Sequence, residues 1–146
     1  MLFVLEGCDG AGKTTIAKHL KNILPGAEIV HCTRETPNDF EFFCDLIDAS
    51  RDRHIIADRF CYGQFVYQTQ DERKLTRGEL LCLESRMLGA GAKVIFVSAD
   101  TAEIEDRLKY RGEKTDVPVT DICNRYAELF ESTLIKPYLW WAGSDC

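Results

Sequence analysis

No run of apolar residues in this 146-residue chain approaches the ~18 that a helical membrane span requires, so no membrane partner is expected. Positive charge is also scarce. Lys and Arg number 18 against 24 Asp and Glu, a formal net charge of -6, whereas a protein that coats nucleic acid draws its affinity from many cationic contacts to phosphates. Genomic nucleic acid is therefore not an expected partner, and any nucleotide must be held locally. The cysteines at 8, 32, 44, 61, 82, 123 and 146 contain no Cys-x-x-Cys, and no histidine cluster stands at zinc spacing. They read as reduced thiols of a cytoplasmic protein. Met1 leads straight into the first apolar run, so no basic leader is expected. Internal repeats and low-complexity linkers are missing too, and the length is close to that of one typical domain, so a single domain over residues 1–146 is expected.

What is present is a phosphate-binding loop. Gly7-Cys8-Asp9-Gly10-Ala11-Gly12-Lys13-Thr14 matches Gly-x-x-x-x-Gly-Lys-Thr in full. The run Leu2-Phe3-Val4-Leu5 ahead of it reads as a buried strand, and Ile16, Ala17, Leu20, Ile23 and Leu24 behind it follow helical spacing. Glycines allow the backbone to turn successive amides inward, making an anion nest closed by a helix N-terminus. The loop from Gly7 through Gly10, Ala11, Gly12, Lys13, Thr14 and Thr15 is thus the candidate ATP phosphate site. Lys13 would reach the outer phosphates and the Thr14 hydroxyl would ligate Mg²⁺.

The remaining chain alternates strands and helices. Strands are expected at 28–32, 54–58, 93–97 and 138–141, with helices over 39–51, from 60 to 68, after a Thr76-x-x-Glu79 capping box, and after Asp100 with Glu103. A last helix opens at Thr120 with Ile122, Tyr126, Leu129, Phe130 and Leu134 on one face. This alternation predicts an α/β fold, a parallel sheet covered on both faces. Ligands of such sheets bind at the carboxyl ends of the strands, which directs attention to the phosphate loop, Arg34 and Glu35, Asp58 and Arg59, and Asp100. Asp58 or Asp100 would supply a second carboxylate for Mg²⁺ or for an acceptor proton. Asp58 is preferred because Asp100 already has a sufficient role as a helix cap. Arg34 is either solvated or an anion clamp. Arg107, Arg111 and Lys114 lie in a polar segment that is either a solvated face or a flap closing over phosphates, with a lid at about 109–118. The phenylalanines at 40, 42 and 43 and the tryptophans at 140 and 141 are read as core.

Together these motifs resemble the thymidylate kinase family of P-loop nucleoside monophosphate kinases. Leu5-Glu6-Gly7-Cys8-Asp9-Gly10-Ala11-Gly12-Lys13-Thr14-Thr15 is similar to that family's opening, Thr33-Arg34-Glu35 to its Thr-Arg-Glu-Pro segment, and Asp58-Arg59-Phe60 with Tyr67-Gln68 to its Asp-Arg-aromatic motif. The resemblance implies a three-layer P-loop kinase fold with a five-stranded parallel sheet, using ATP and Mg²⁺ to convert a deoxynucleoside monophosphate, dTMP first, to the diphosphate. It implies a catalytic set of Lys13, Asp58, Arg59 and Arg111, metal ligation by Thr14 and Asp58, and Arg107 beside the ATP phosphates. The acceptor would meet Asp9 at its sugar hydroxyl, Arg34 and Arg59 at its phosphate, and Gln64 and Gln68 nearby, with Tyr67 excluding a 2′-hydroxyl. Because the interval from Thr33 to Asp58 is shorter than the family's, Arg51 is aligned as the second phosphate arginine and Phe43 as the base-stacking ring. Small-molecule nucleotides are the expected partners and a homodimer is allowed. Two other readings stay open, a deoxynucleoside kinase and a P-loop nucleotide-binding protein without transfer activity, although the guanine-reading Asn-Lys-x-Asp of a GTPase switch is absent.

Overall fold

A computed structural model describes residues 1–33, 36–113 and 117–141. Strand β1, Leu2–Glu6, forms because its alternate side chains have two apolar layers to enter. Leu2 and Val4 join a large cluster on one face, and Leu5 joins a smaller one on the other. Helix α1, Lys13–Ile23, covers that second face, placing Ala17 with Leu20 and Leu24 against Leu5 of β1 and Ile56 of the strand β3, Ile55–Asp58. Strand β2, Glu28–His31, pairs in parallel with β3.

The opposite face is covered by α2 (Phe40–Ala49), α4 (Arg77–Gly89) and α6 (Val119–Ser132), which contribute Phe43, Ile47, Leu83, Met87, Tyr126 and Phe130 to the large cluster. Caps fix two of these helices. The Asp39 carboxylate accepts from the Phe42 amide, and Thr76 and Glu79 make the reciprocal bonds of a capping box. The short α3, Gly63–Tyr67, follows β3, and α5, Thr101–Tyr110, follows strand β4, Lys93–Ser98. Strand β5, Tyr138–Trp141, completes a parallel sheet in the order β2-β3-β1-β4-β5. The result is the expected three-layer α/β fold. After β3 the chain crosses to the other side of β1, so the phosphate loop leaves the central strand beside the point where strand order reverses.

Several expectations need correction. The last helix starts at Val119 and ends at Ser132, where Thr133 turns extended, so Leu134 lies beyond it and is exposed. Lys109 and Tyr110 belong to α5 rather than to a separate lid, and Lys114 falls outside the described residues. Trp140 and Trp141 are not core. Their strand is at the sheet edge and each keeps at least half of its surface exposed. Among the described residues no helix is long and apolar enough to cross a membrane.

Candidate active site

The phosphate loop closes on its own lysine. Gly7 has φ +146°, and a Cβ there would collide with the Val97 carbonyl oxygen, so only glycine lets the loop pass this close to β4. Lys13 Nζ donates to the carbonyls of Gly7 at 2.9 Å and Cys8 at 3.0 Å. Burial pushes the lysine pKa down, and the carboxylates of Asp58, Asp9 and Glu6 oppose that shift.

Gly10 explains how α5 reaches the loop. A Cβ at this position would stand 3.3 Å from Arg111 Nη2, from the Ile104 carbonyl oxygen and from Leu108 Cγ, so the missing side chain is what admits the helix. Arg107 Nη1 then donates to the Gly10 carbonyl at 2.9 Å while Nη2 bonds Glu103 at 3.3 Å. Arg111 lies 3.9 Å from Glu113.

Arg59 approaches from the other side. It adopts φ +65°, a left-handed conformation uncommon for a long side chain, and such conformations gather at active sites. Its guanidinium pairs with the Asp9 carboxylate and lies over the Tyr67 ring, 4.3 Å from the centroid. Asp58 ends β3 in register with His31 at the end of β2, and His31 Nδ1 is 3.1 Å from Asp58 Oδ2. Asp100 has its side chain on the Ala102 amide, the capping role expected of it.

These groups line one cavity of ≈1380 Å³. Asp9, Gly10, Gly12, Lys13, Thr14, Thr15, Asp58, Arg59, Arg107 and Arg111 all face it. Other expected residues do not. Arg51 follows α2 at the amino end of the sheet, where the Met1 amine donates to the carbonyls of Ser50 and Arg53 at 2.7 and 2.9 Å. The five residues of β1 separate it from the phosphate loop, about 16 Å at 3.3 Å per residue. Phe43 is fully buried between Phe42 and Phe60 and offers no face for stacking a base. The Gln64 amide is consumed by the Asn38 carbonyl and the Lys74 amide, so it ties two loops together. Tyr67, beneath Arg59, and Gln68 are half-buried and neither is on the cavity wall, and among the described residues Tyr67 Oη and Gln68 Oε1 are buried without a hydrogen-bond partner. Arg34 lies outside the described residues.

Some contributors were not assigned to the site from the sequence. His31 and Trp140 line the cavity, and Glu6 lies fully buried beneath it. Glu6 Oε2 accepts from the Phe60 amide and Oε1 from the Tyr126 hydroxyl, each at 3.0 Å. Burial raises its pKa to about 7 against the lowering effect of these bonds and of Arg59 and Lys13. A signal existed for Glu6, since strand alternation puts it on the same face as Leu2 and Val4.

Among the described residues no three His, Cys, Asp or Glu side chains gather as a metal site. That arrangement still fits Mg²⁺ carried with a nucleotide, which takes one or two carboxylates and completes its shell with phosphates and water.

No family model matches the chain. It is 30% identical over 151 residues to the uncharacterized SPbeta prophage-derived protein YorR of Bacillus subtilis (strain 168), spanning 97% of this chain and 89% of the relative. The chain belongs to the YorR family. The crystal structure of Bacillus subtilis YorR in complex with phosphorylated GDP superposes with a TM-score of 0.81 at 29% identity, over 96% of this chain and 85% of YorR. Beyond YorR the likeness is one of fold. Thymidylate kinase from Candida albicans gives a TM-score of 0.57 at 16% identity, covering 98% of this chain and 84% of that enzyme. Deoxyadenosine kinase from M. mycoides with bound dCTP gives 0.54 at 18%, covering 100% and 91%. This member of the YorR family therefore has a nucleotide-kinase fold shared with enzymes of both kinds, and thymidylate kinase is not singled out among them.

Proposed function

We infer that the chain is a Mg²⁺- and ATP-dependent kinase, one domain over residues 1–146, that phosphorylates a deoxynucleoside monophosphate, with dTMP the first acceptor to test. The observation that carries this reading is the presence of two cationic fronts on one phosphate loop: Arg59 paired with Asp9, and Arg107 bonded to Gly10 with Arg111 beside it. Two anions, a donor triphosphate and an acceptor phosphate, call for charge neutralisation on both sides. An acceptor phosphate is already anionic, so positioning and electrostatics dominate over general-base help.

In this reading the loop amides and Lys13 hold the donor phosphates, and Arg107 and Arg111 bear on them from α5. Arg59 orients the acceptor phosphate, with Arg34 as its second clamp and Asp9 near the sugar. Mg²⁺, held by Thr14 and Asp58, would neutralise charge on the phosphate oxygens. The YorR complex with phosphorylated GDP adds guanine monophosphates to the acceptor panel. Such chemistry belongs in the cytoplasm, where these nucleotides are found.

The test is ADP release at fixed ATP and Mg²⁺ across deoxy- and ribonucleoside monophosphates. A selective rise with one deoxynucleoside monophosphate supports the reading, and equally slow turnover with every acceptor overturns it in favour of a nucleotide-binding protein. A second reading, transfer to a nucleoside hydroxyl, is favoured by the His31–Asp58 pair, since a neutral hydroxyl needs a carboxylate base. Faster turnover with thymidine than with dTMP would select it.

A further inference from the structure

Glu6 meets no ligand, yet it holds the backbone of a residue that faces the cavity. Its side chain is fully buried and has no face on the cavity wall, so whatever it does for the site passes through a neighbour. That neighbour is Arg59. Strands β1 and β3 pair with Leu5 beside Asp58, and one step further the Arg59 amide donates to the Leu5 carbonyl at 2.8 Å. There the ladder stops, because Arg59 takes the left-handed backbone, φ +65°, that a β-carbon disfavours. The next amide, that of Phe60, donates to Glu6 Oε2 at 3.0 Å, so a side chain of β1 takes up the turn that its backbone leaves off. Glu6 Oε1 is fixed in its turn by the Tyr126 hydroxyl of α6, also at 3.0 Å. The Tyr126 ring meets the Tyr67 ring edge-on with centroids 6.1 Å apart, and Tyr67 carries the Arg59 guanidinium on its face. Backbone and guanidinium of Arg59 are thus both referred to the pair Glu6 and Tyr126. Gly63 confirms how close the two side chains run: a Cβ there would stand 3.6 Å from Glu6 Oε1 and 3.9 Å from Arg59 Cδ.

We propose that Glu6 is the positioning residue for Arg59: by holding the Phe60 amide it fixes the left-handed turn after β3 and so presents the guanidinium to the acceptor phosphate. The second half rests on the reading that Arg59 orients that phosphate, whereas the first half does not. A long side chain on a loose turn samples many rotamers, and ordering it only when the ligand arrives costs affinity. The Asp9 carboxylate does not supply that order alone, since its side chain is 52% exposed and ion pairs so placed contribute little. What the role requires of Glu6 is a hydrogen-bond acceptor, not a charge or a base. Glutamine therefore serves, its oxygen accepting from Phe60 while its NH₂ donates to the Tyr126 oxygen. Methionine fills a similar volume and offers Phe60 no comparable acceptor.

Two measurements on the purified protein test this. The first follows the Arg59 Nε–H signal of ¹⁵N-labelled protein without ligand, assigned by its disappearance in Arg59→Lys. In the parent, in Glu6→Gln and in Tyr126→Phe, all of which keep the Phe60 bond, the signal should be displaced by the Tyr67 ring and slow to exchange with water. In Glu6→Met, and in Glu6→Asp, whose carboxylate is one methylene short of the amide, it should return to the position of a free arginine. The second measures ADP release at saturating ATP and Mg²⁺ with dTMP and with dGMP. Glu6→Met should raise the acceptor KM roughly tenfold while kcat and the affinity for a fluorescent ATP analogue stay within about twofold, and Glu6→Gln should restore the parent KM. Arg59→Ala should raise that KM by roughly 10- to 100-fold, and adding Glu6→Met to it should cost less than about twofold more, because one residue acts through the other. The proposal is overturned if the Arg59 signal in folded Glu6→Met or Glu6→Asp matches the parent, if Glu6→Gln loses that signal or the parent KM, or if the Glu6 and Arg59 losses add. A parent protein that releases no ADP with either monophosphate would overturn the proposed function together with the second half, and the Arg59 signal would still decide the first.

Discussion

Replacing Glu6 by Gln should abolish a specific part of the protein's pH dependence. The carboxyl is fully buried under the phosphate loop, and its pKa is raised from 4.5 to about 7, chiefly by that burial. A group whose folded pKa is raised contributes stability that is complete below its unfolded value and is lost as pH rises through the folded value. Between pH 4.5 and pH 7 the unfolded chain ionises while the native state holds its proton. The shift is worth about 3 kcal/mol, a substantial share of the ~5–15 kcal/mol typical of a domain. Glutamine has the same shape as the protonated acid. Its oxygen can accept from the Phe60 amide, and its NH₂ can donate to the Tyr126 oxygen. Urea denaturation of parent and variant at intervals from pH 5 to pH 8 isolates this group, because every other titration cancels in the difference. The two should be similar near pH 5, and the variant should gain about 3 kcal/mol on the parent by pH 8. Parallel curves would refute the reasoning and return Glu6 to the ordinary carboxylate range.

Lys13→Ala should lower turnover by on the order of 10³-fold, about 4 kcal/mol of transition-state stabilisation, measured as ADP release from protein whose circular dichroism is unchanged; near-normal turnover would remove the loop from the reaction. Tyr67→Phe should keep the ring beneath Arg59, whereas Tyr67→Ala removes a cation–π contact of ~1–2 kcal/mol and should slow deoxy and ribo acceptors alike by roughly 5- to 30-fold. A selective gain with ribonucleotides would instead give Tyr67 the sugar-excluding role that the sequence suggested. Arg51→Ala should change the acceptor KM by less than about twofold, as befits an exposed side chain with one loose ion pair; a large rise would reverse its assignment to the far end of the sheet.

The sequence was most legible where a local rule decides the outcome. Glycine chemistry marked the phosphate loop, the Thr76 and Glu79 pair marked the start of α4, and short apolar runs marked the strands. It was least legible where an answer depends on which end of an element is reached. Arg51 matched a pattern by spacing, but α2 carries the chain back to the amino ends of the strands before β3 begins. Leu134 continued a helical period that Thr133 had already broken. Phe43 is core, as first read, and not the stacking ring the resemblance implied, whereas Trp140, also read as core, lines the cavity. Burial follows the layer that covers an element, and α4 packs over α2, whereas β5 stands at the edge of the sheet. The acceptor side is the least defined in the sequence because its spacing departs from the family pattern between Thr33 and Asp58.

The exposed β5 strand also gives the protein an optical property. The chain contains two tryptophans, at 140 and 141, so all of its indole emission originates from one four-residue strand, and one of the two rings borders the cavity. Half-exposed indoles emit toward the red and remain open to soluble quenchers, and a nucleobase entering beside Trp140 would alter that signal without any label. Occupancy of the cavity can thus be followed by the native emission of the folded chain, independently of whether phosphate is transferred.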